Sequence, residues 1–151
     1  MNALYNPLPY WYRVDSAYQN ALLLMKYSVQ GEPNRELFYD ELIKSAPSDA
    51  QRNIIISIRD DERLHMKIFR QIYLSLTGEQ ITGISNEEYK QPNSFLEGIQ
   101  HALFGELTAV EKYREIWTQL PQGQHKDNVM GIIIDKLKHA SIYNYFYTLN
   151  K

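Results

Sequence analysis

The chain has 151 residues, of which 44% are hydrophobic and 23% charged, values typical of one soluble globular domain large enough to bury a core. Its net charge of −2 and the lack of a long basic run argue against a nucleic-acid or anionic-membrane partner, since either requires a concentrated cationic face. Because the chain has no cysteine, disulfides, thiolate zinc sites and Cys-ligated iron are excluded, and any redox metal must be bound by histidines and carboxylates.

The beginning of the chain differs in composition from the rest. It lacks the basic start and continuous apolar core of a signal peptide, and no stretch approaches the roughly 18 apolar residues of a membrane span, so we expect a cytoplasmic protein. Leu4–Tyr12 is rich in Tyr, Trp and Pro and has no helical period, although its aromatic content argues against disorder. We therefore predict an N-terminal segment, 1–14, that packs across the domain formed by 15–151 or against another subunit.

Two helices are predicted next. The first, Asp15–Ser45, has inward-facing residues at spacings near three and four, and Pro33 should kink it. The second runs from Ser48, which has the pattern of a capping box with Gln51, to the residue before Gly78. Both carry acidic residues on otherwise apolar inward stripes.

Two further helices are predicted in the second half of the chain. The third begins after Ser94, with Glu97 completing another capping box, and alternates steps of four and three as far as Leu120. The fourth follows Pro121–Gly123 and continues close to the C-terminus. Connections within each pair are short, whereas about fifteen residues around 82–93 join the pairs. This pattern predicts an all-α fold, an antiparallel four-helix bundle with a long crossover between helices two and three.

Three acidic residues lie on the apolar stripes of these helices. Burying a carboxylate costs several kcal/mol unless it is protonated, paired or bound to a metal, and this applies to Glu32, Glu62 and Glu106 alike. Glu62 is followed three residues later by His65, so both side chains point to the same side of a helix and can coordinate one ion.

An internal repeat relates the two pairs of helices. Residues 28–42 and 58–73 align with 102–116 and 132–147, each 74 positions later (65 to 139, for example), and nine of the 31 aligned positions are identical. About two identities are expected by chance from ordinary residue frequencies. The identical positions, in the first copy, are Gly31, Glu32, Tyr39, Glu41, Ile58, Asp61, His65, Ile68 and Tyr73. Acids and histidines of the kinds that bind metals are thus matched between the copies.

These residues resemble the ferritin-like superfamily, and within it the rubrerythrin-type proteins, over about residues 16 to 150. The resemblance rests on a repeated Gly-Glu with Tyr seven positions after the acid, and on the sequence Asp-Glu-Arg-Leu-His at 61–65. In that family two helices each supply a Glu and the other two each supply a Glu-x-x-His, which together hold two iron or manganese ions. The ligands that the resemblance implies are Glu32, Glu62, His65, Glu106 and His139.

The resemblance also implies roles around the ligands. Asp61 and Asp135 occupy positions at which the family places acids that hydrogen-bond the non-coordinating nitrogen of a ligand histidine, and Asp135 could alternatively reach the ion itself. Tyr39 and Tyr113 could hydrogen-bond a ligand or relay an electron as catalytic residues, or simply pack in the core. Without a rubredoxin domain, redox turnover would need an external electron donor. The aromatic N-terminus favours a homodimer.

Lys136 departs from the family pattern, because it stands where the second Glu-x-x-His should have its Glu. Four carboxylates balance two divalent ions, whereas three carboxylates and an ammonium balance one. The sequence leaves two functions open. In one, the protein binds one or two ions of iron, or of manganese or zinc, and acts on oxygen or peroxide as a peroxidase or ferroxidase, with Lys136 supplying charge or a proton. In the other, it is a metal-free structural or interaction protein whose Lys136 is salt-bridged to Glu32, Glu62 and Glu106.

Overall fold

The structure, a computed structural model, describes the backbone of residues 10–151 and the side chains of residues 18–151. The described residues form five α-helices and no strand: α1 (Tyr10–Gln30), α2 (Glu32–Ser45), α3 (Asp49–Thr77), α4 (Phe95–Gln119) and α5 (Gln124–Asn150). The predicted all-α class is therefore confirmed. No helix in the described part of the chain has the length and apolar character needed to cross a membrane.

The first predicted helix is wrong at its start and in its continuity. It begins at Tyr10 rather than at Asp15, so the end of the predicted aromatic segment is helical; residues 1–9 of that segment lie outside the described residues. It is also divided at Gly31 into α1 and α2. The division follows from Pro33, which has no N–H to donate to the preceding turn. Instead of a kink within one helix, the structure has two helices separated by one residue, Gly31.

The starts of α3 and α4 are those predicted. The Ser48 hydroxyl accepts a hydrogen bond from the Gln51 N–H at 3.2 Å, and the Ser94 hydroxyl accepts one from the Glu97 N–H at 3.1 Å. These bonds satisfy backbone donors that the first turn of a helix leaves free. α3 ends at Gly78, whose φ of 74° is a left-handed conformation that glycine adopts without strain.

A segment without helix or strand, 78–94, joins α3 to α4 and lies against the junction of α1 and α2. The Gln30 side chain donates to the Thr82 carbonyl at 2.9 Å, and the Gln30 carbonyl accepts from the Ser85 N–H at 2.9 Å. Asn34 donates to the Glu87 carbonyl at 2.8 Å. These bonds hold segment 78–94 against the junction of α1 and α2.

The core consists of two apolar clusters with a polar layer between them. The α1 cluster contains Ala21, Met25, Val29, Met66, Phe69, Ile72, Tyr113, Ile116, Leu120, Val129, Ile132 and Ile133. The α2 cluster contains Tyr39, Leu42, Ala46, Ile55, Ile58, Ile99, Ala102, Tyr143 and Phe146. On α3, α4 and α5, the buried residues that lie between the two sets in sequence are charged or polar, with the exception of Ala140. These buried polar residues form one layer.

Candidate metal centre

Five buried side chains form this polar layer. α3 supplies Glu62 and His65, α4 supplies Glu106, and α5 supplies Lys136 and His139. Each is 5% exposed or less. Residues three apart on a helix point to the same side, which is why α3 and α5 each present two of them. We call these five residues the central polar cluster.

The ammonium group of Lys136 joins the two carboxylates. Its Nζ donates a hydrogen bond to Glu62 Oε2 at 2.5 Å and lies 3.2 Å from Glu106 Oε2. Burial acts to lower the pKa of Lys136, but its neighbours Tyr113, Glu62 and Glu106 outweigh burial and raise the pKa above its ordinary value. Lys136 is therefore a buried cation between two acids.

The two histidines are held crosswise between α3 and α5. His65 Nε2 lies 2.9 Å from Asp135 Oδ2, and His139 Nε2 lies 2.9 Å from Asp61 Oδ2. The imidazole rings face each other with centroids 6.1 Å apart. Each histidine is thus oriented by the aspartate of the other repeat copy, as carboxylates orient metal-ligand histidines.

The remaining nitrogen of each imidazole points into the cluster. Glu62 Oε1 lies 3.3 Å from His65 Nδ1 and 3.5 Å from His139 Nδ1, while Glu106 Oε2 lies 3.8 Å from His139 Nδ1. None of these four buried atoms has a hydrogen-bond partner within the described residues, since the Lys136 contact with Glu106 Oε2 lies outside hydrogen-bond geometry. Buried polar atoms without partners are rare in proteins. Glu62, Glu106 and His139 each offer one atom within 4.8 Å of the others, a separation that suits a shared metal ion.

The electrostatics of the cluster favour charged forms. Burial acts to raise the pKa of Glu62, but Lys136, His139 and His65 outweigh it and hold that pKa well below its ordinary value. Burial acts to lower the pKa of His139, whereas Glu106, Glu62 and Asp61 raise it to about 9. Two carboxylates, one ammonium and one imidazolium then sum to zero charge.

Glu32 lies outside the cluster, unlike its repeat partner Glu106. Its Oε2 accepts from Arg70 Nη1 at 2.9 Å, and its side chain is 28% exposed. The alignment of the two copies indicates this difference, because the residue that corresponds to Arg70 in the second copy is the uncharged Asn144. Glu32 and Glu62 nevertheless line the same small void of about 10 Å³.

The two tyrosines occupy opposite sides of the cluster. Tyr39 accepts a hydrogen bond from the Tyr143 hydroxyl at 3.4 Å, and burial, followed by the charges nearby, raises the pKa of both phenols well above the ordinary value. Tyr113 packs edge-on against Phe69 and has Lys136 Nζ 5.7 Å from its ring centroid. Nothing in the repeat marks the Tyr143 hydroxyl, because the first copy has Phe69 at the corresponding position.

No protein-family model matches the chain, and no solved structure matches it. The chain is similar to a protein of Bacillus subtilis (strain 168) described as "Uncharacterized protein YhjR", with 29% identity over 146 residues. The similarity covers 97% of each protein, so it extends over almost the full length of both.

Proposed function

We propose that the protein is a ferritin-like four-helix bundle that binds one divalent metal ion, iron or a similar ion such as manganese or zinc, in its central polar cluster. The observation that carries this proposal is a group of three buried atoms without hydrogen-bond partners, Glu62 Oε1, His65 Nδ1 and His139 Nδ1, beside Glu106 Oε2, which is paired with the Lys136 ammonium. Carboxylate oxygens and imidazole nitrogens are suitable ligands for all three metals.

The order of the helices supports the ferritin-like bundle. α1 belongs to one apolar cluster and α2 to the other, so together they act as the first helix of the bundle. α3 and α4 both begin in the α2 cluster and end in the α1 cluster, whereas α5 runs the opposite way. Because α3 and α4 run in the same direction, their connection must cross the length of the bundle, and segment 78–94 supplies this crossover.

The charge of the cluster favours one ion over two. The Lys136 ammonium already balances the charge of one carboxylate, which a second metal ion would otherwise do. Glu32 is paired with Arg70 instead of pointing into the cluster. A divalent ion would replace the His139 proton, leaving a small excess positive charge that Asp61 and Asp135 offset beside the histidines. Binding should therefore strengthen as pH rises towards 9, the raised pKa of His139.

Bound iron would supply redox reactivity towards oxygen or peroxide, which places a peroxidase or ferroxidase among the proposed activities. The residues of this chain would orient the ion through Asp61 and Asp135 and hold a proton at Lys136 Nζ. Because the chain has no cysteine, electrons would come from another protein. A homodimer is part of the proposal and is supported by exposed apolar residues of α4 and α5: Phe104, Leu107, Ile134 and Leu137.

A metal-free interaction protein is the second candidate, and Lys136 favours it. The ammonium bridges Glu62 and Glu106, and with a protonated His139 the cluster is neutral without any ion. Such a network satisfies buried charges through one another.

Metal content distinguishes the two candidates. Protein purified without chelator, then loaded anaerobically with ferrous iron and desalted, should hold about one ion per chain by plasma mass spectrometry, and His139→Gln should hold almost none. His101→Gln changes an exposed imidazole outside the cluster and should retain the wild-type content. A wild-type content near zero at pH 7 and pH 9 with iron, manganese and zinc would reject metal binding and leave the neutral network.

A further inference from the structure

An open cleft leads from the surface to the central polar cluster. Its walls are the α1–α2 junction, the segment 84–90 and one face of α4, and it has a volume of about 1260 Å³. Glu62, Glu106 and Lys136 line its inner end. The hydrogen bonds from Gln30 and Asn34 to the 78–94 segment keep the outer wall in place. The cleft is thus a built feature that is large enough for a small organic molecule.

Three cationic side chains that line the cleft have no ion pair in the described part of the chain: Arg35, Lys90 and Lys112. Arg35 Nη2 donates to the Ser28 carbonyl at 2.5 Å, but Nη1 is buried and has no partner among the described residues. Burial lowers the pKa of Lys112, and repulsion from Arg35 and Lys136 lowers it further, against the attraction of Glu87. Arg35 and Lys112 thus line one cleft with like charges, and an anion between them would relieve their repulsion.

The cleft is also lined by apolar and aromatic side chains. Tyr27, Phe38, Ala102 and Ala109 contribute apolar or aromatic surface to its walls. Gly105 also lines it, and a Cβ added there would meet no atom within 4 Å. A ligand that fits must combine a negative charge with an apolar body, since charge alone would leave these walls uncovered.

We propose that the cleft binds a small organic anion whose carboxylate or phosphate lies between Arg35 and Lys112 and whose apolar part packs against Phe38 and the Gly105 face of α4. Arg suits this role because its planar guanidinium presents paired donors that match an oxyanion. The site does not depend on whether the central polar cluster holds a metal. A ligand seated there would cover the opening through which Lys136 is reached.

Binding of benzoate, measured by isothermal titration calorimetry in chelator, tests the site without involving the metal. Arg35→Gln and Lys112→Gln should each weaken binding about tenfold or more, since each removes a charge-assisted hydrogen bond. Lys67→Gln removes an exposed α3 cation away from the cleft and should leave the affinity unchanged. Uncharged benzyl alcohol should bind at least tenfold more weakly than benzoate.

Glycine substitutions provide a second test that does not alter charge. Gly105→Leu places a side chain in the cleft and should abolish benzoate binding, while Gly131→Leu, at a helical glycine that likewise has no atom within 4 Å of an added Cβ, should not. Inorganic phosphate binding as tightly as benzoate would overturn the apolar half of the proposal. No detectable benzoate binding, or equal affinity in the Gly105→Leu and Gly131→Leu proteins, would overturn it entirely.

Discussion

The two copies of the repeat use the same Gly-Glu pair in different ways. In the second copy, Gly105 and Glu106 lie within the continuous helix α4, and Glu106 is buried beside Lys136. In the first copy, Gly31 separates two helices, and Glu32 begins α2 at the protein surface. An identical dipeptide therefore does not guarantee an identical role, because its neighbours decide where the acid points.

Two neighbouring differences account for this asymmetry. Glu32 is followed by Pro33, which cannot donate a helical hydrogen bond, whereas Glu106 is followed by Leu107. Glu32 also faces Arg70, and the matching position on α5 is Asn144. The third difference, Glu62 against Lys136, places a carboxylate of the first copy in contact with an ammonium of the second.

The largest effect is expected when the buried cation is removed. Lys136→Met leaves Glu62 and Glu106 without their shared partner and should lower the free energy of unfolding by about 3–5 kcal/mol in chelator. Urea denaturation followed by circular dichroism measures it. Lys138→Met removes an exposed cation of the same helix, and a loss as small as in that variant would contradict the buried ion-pair account. If the cluster binds metal, added manganese should restore part of the stability of Lys136→Met.

Making the two copies alike at position 136 should change the metal content. Lys136→Glu restores the second Glu-x-x-His, replaces a positive by a negative charge and should raise the ions bound per chain from about one towards two. Plasma mass spectrometry after anaerobic iron loading measures this ratio, with Lys67→Glu, at an exposed cation of α3, as the control. Failure of Lys136→Glu to bind any metal would remove the idea that Lys136 replaces an ion.

Stability should depend on pH through the histidine of the second copy. The pKa of His139 is about 9 in the folded protein and about 6.5 in an unfolded chain, so the folded state holds the proton more tightly. The resulting stabilisation, up to about 3 kcal/mol, is fully present below pH 6.5 and is lost as pH rises through 9. Urea titrations from pH 6 to 10 in chelator should show this loss. His139→Gln should flatten the dependence of stability on pH, whereas His125→Gln, near the start of α5, should not. An unchanged pH dependence in His139→Gln would contradict the role of His139.

The smallest effect on stability is expected at the ion pair that keeps Glu32 at the surface. Arg70→Asn copies the second repeat at this position and should cost less than about 1 kcal/mol, since the pair is partly exposed. Combined with Lys136→Glu, it should tighten binding of the second ion, because Glu32 is then free to turn towards Glu62. Equal metal affinity with Arg70 present or absent would show that Glu32 takes no part in the site.

Much of the fold followed from local signals in the sequence. Ser48 and Ser94 each begin a helix because a hydroxyl before an apolar stripe satisfies free N–H groups, and this effect needs no tertiary contact. Likewise, Glu62, His65, Glu106, Lys136 and His139 could be recognised as inward-facing from spacing alone. The break at Gly31 was harder to predict, since a proline in a helical pattern can either kink or divide the helix.

The details that distinguish the two copies depend on contacts between distant residues. Nothing near Glu32 in sequence names Arg70 as its partner, and the Tyr143 hydroxyl meets Tyr39 only because α2 and α5 contribute to one cluster. The cleft was not predictable either, because it results from the path of segment 84–90 and not from any motif.

The crossed histidine–aspartate pairs have a consequence for how such a protein could arise. Each imidazole is oriented by an acid of the other copy, His65 by Asp135 and His139 by Asp61, so neither copy can orient its own histidine in this way. A chain with one copy could form these pairs only between two molecules related by a twofold axis, with each subunit completing the site of the other. In the present chain both crossed pairs form within one molecule. The two copies therefore need not be identical, and Glu62 of the first copy can correspond to Lys136 in the second.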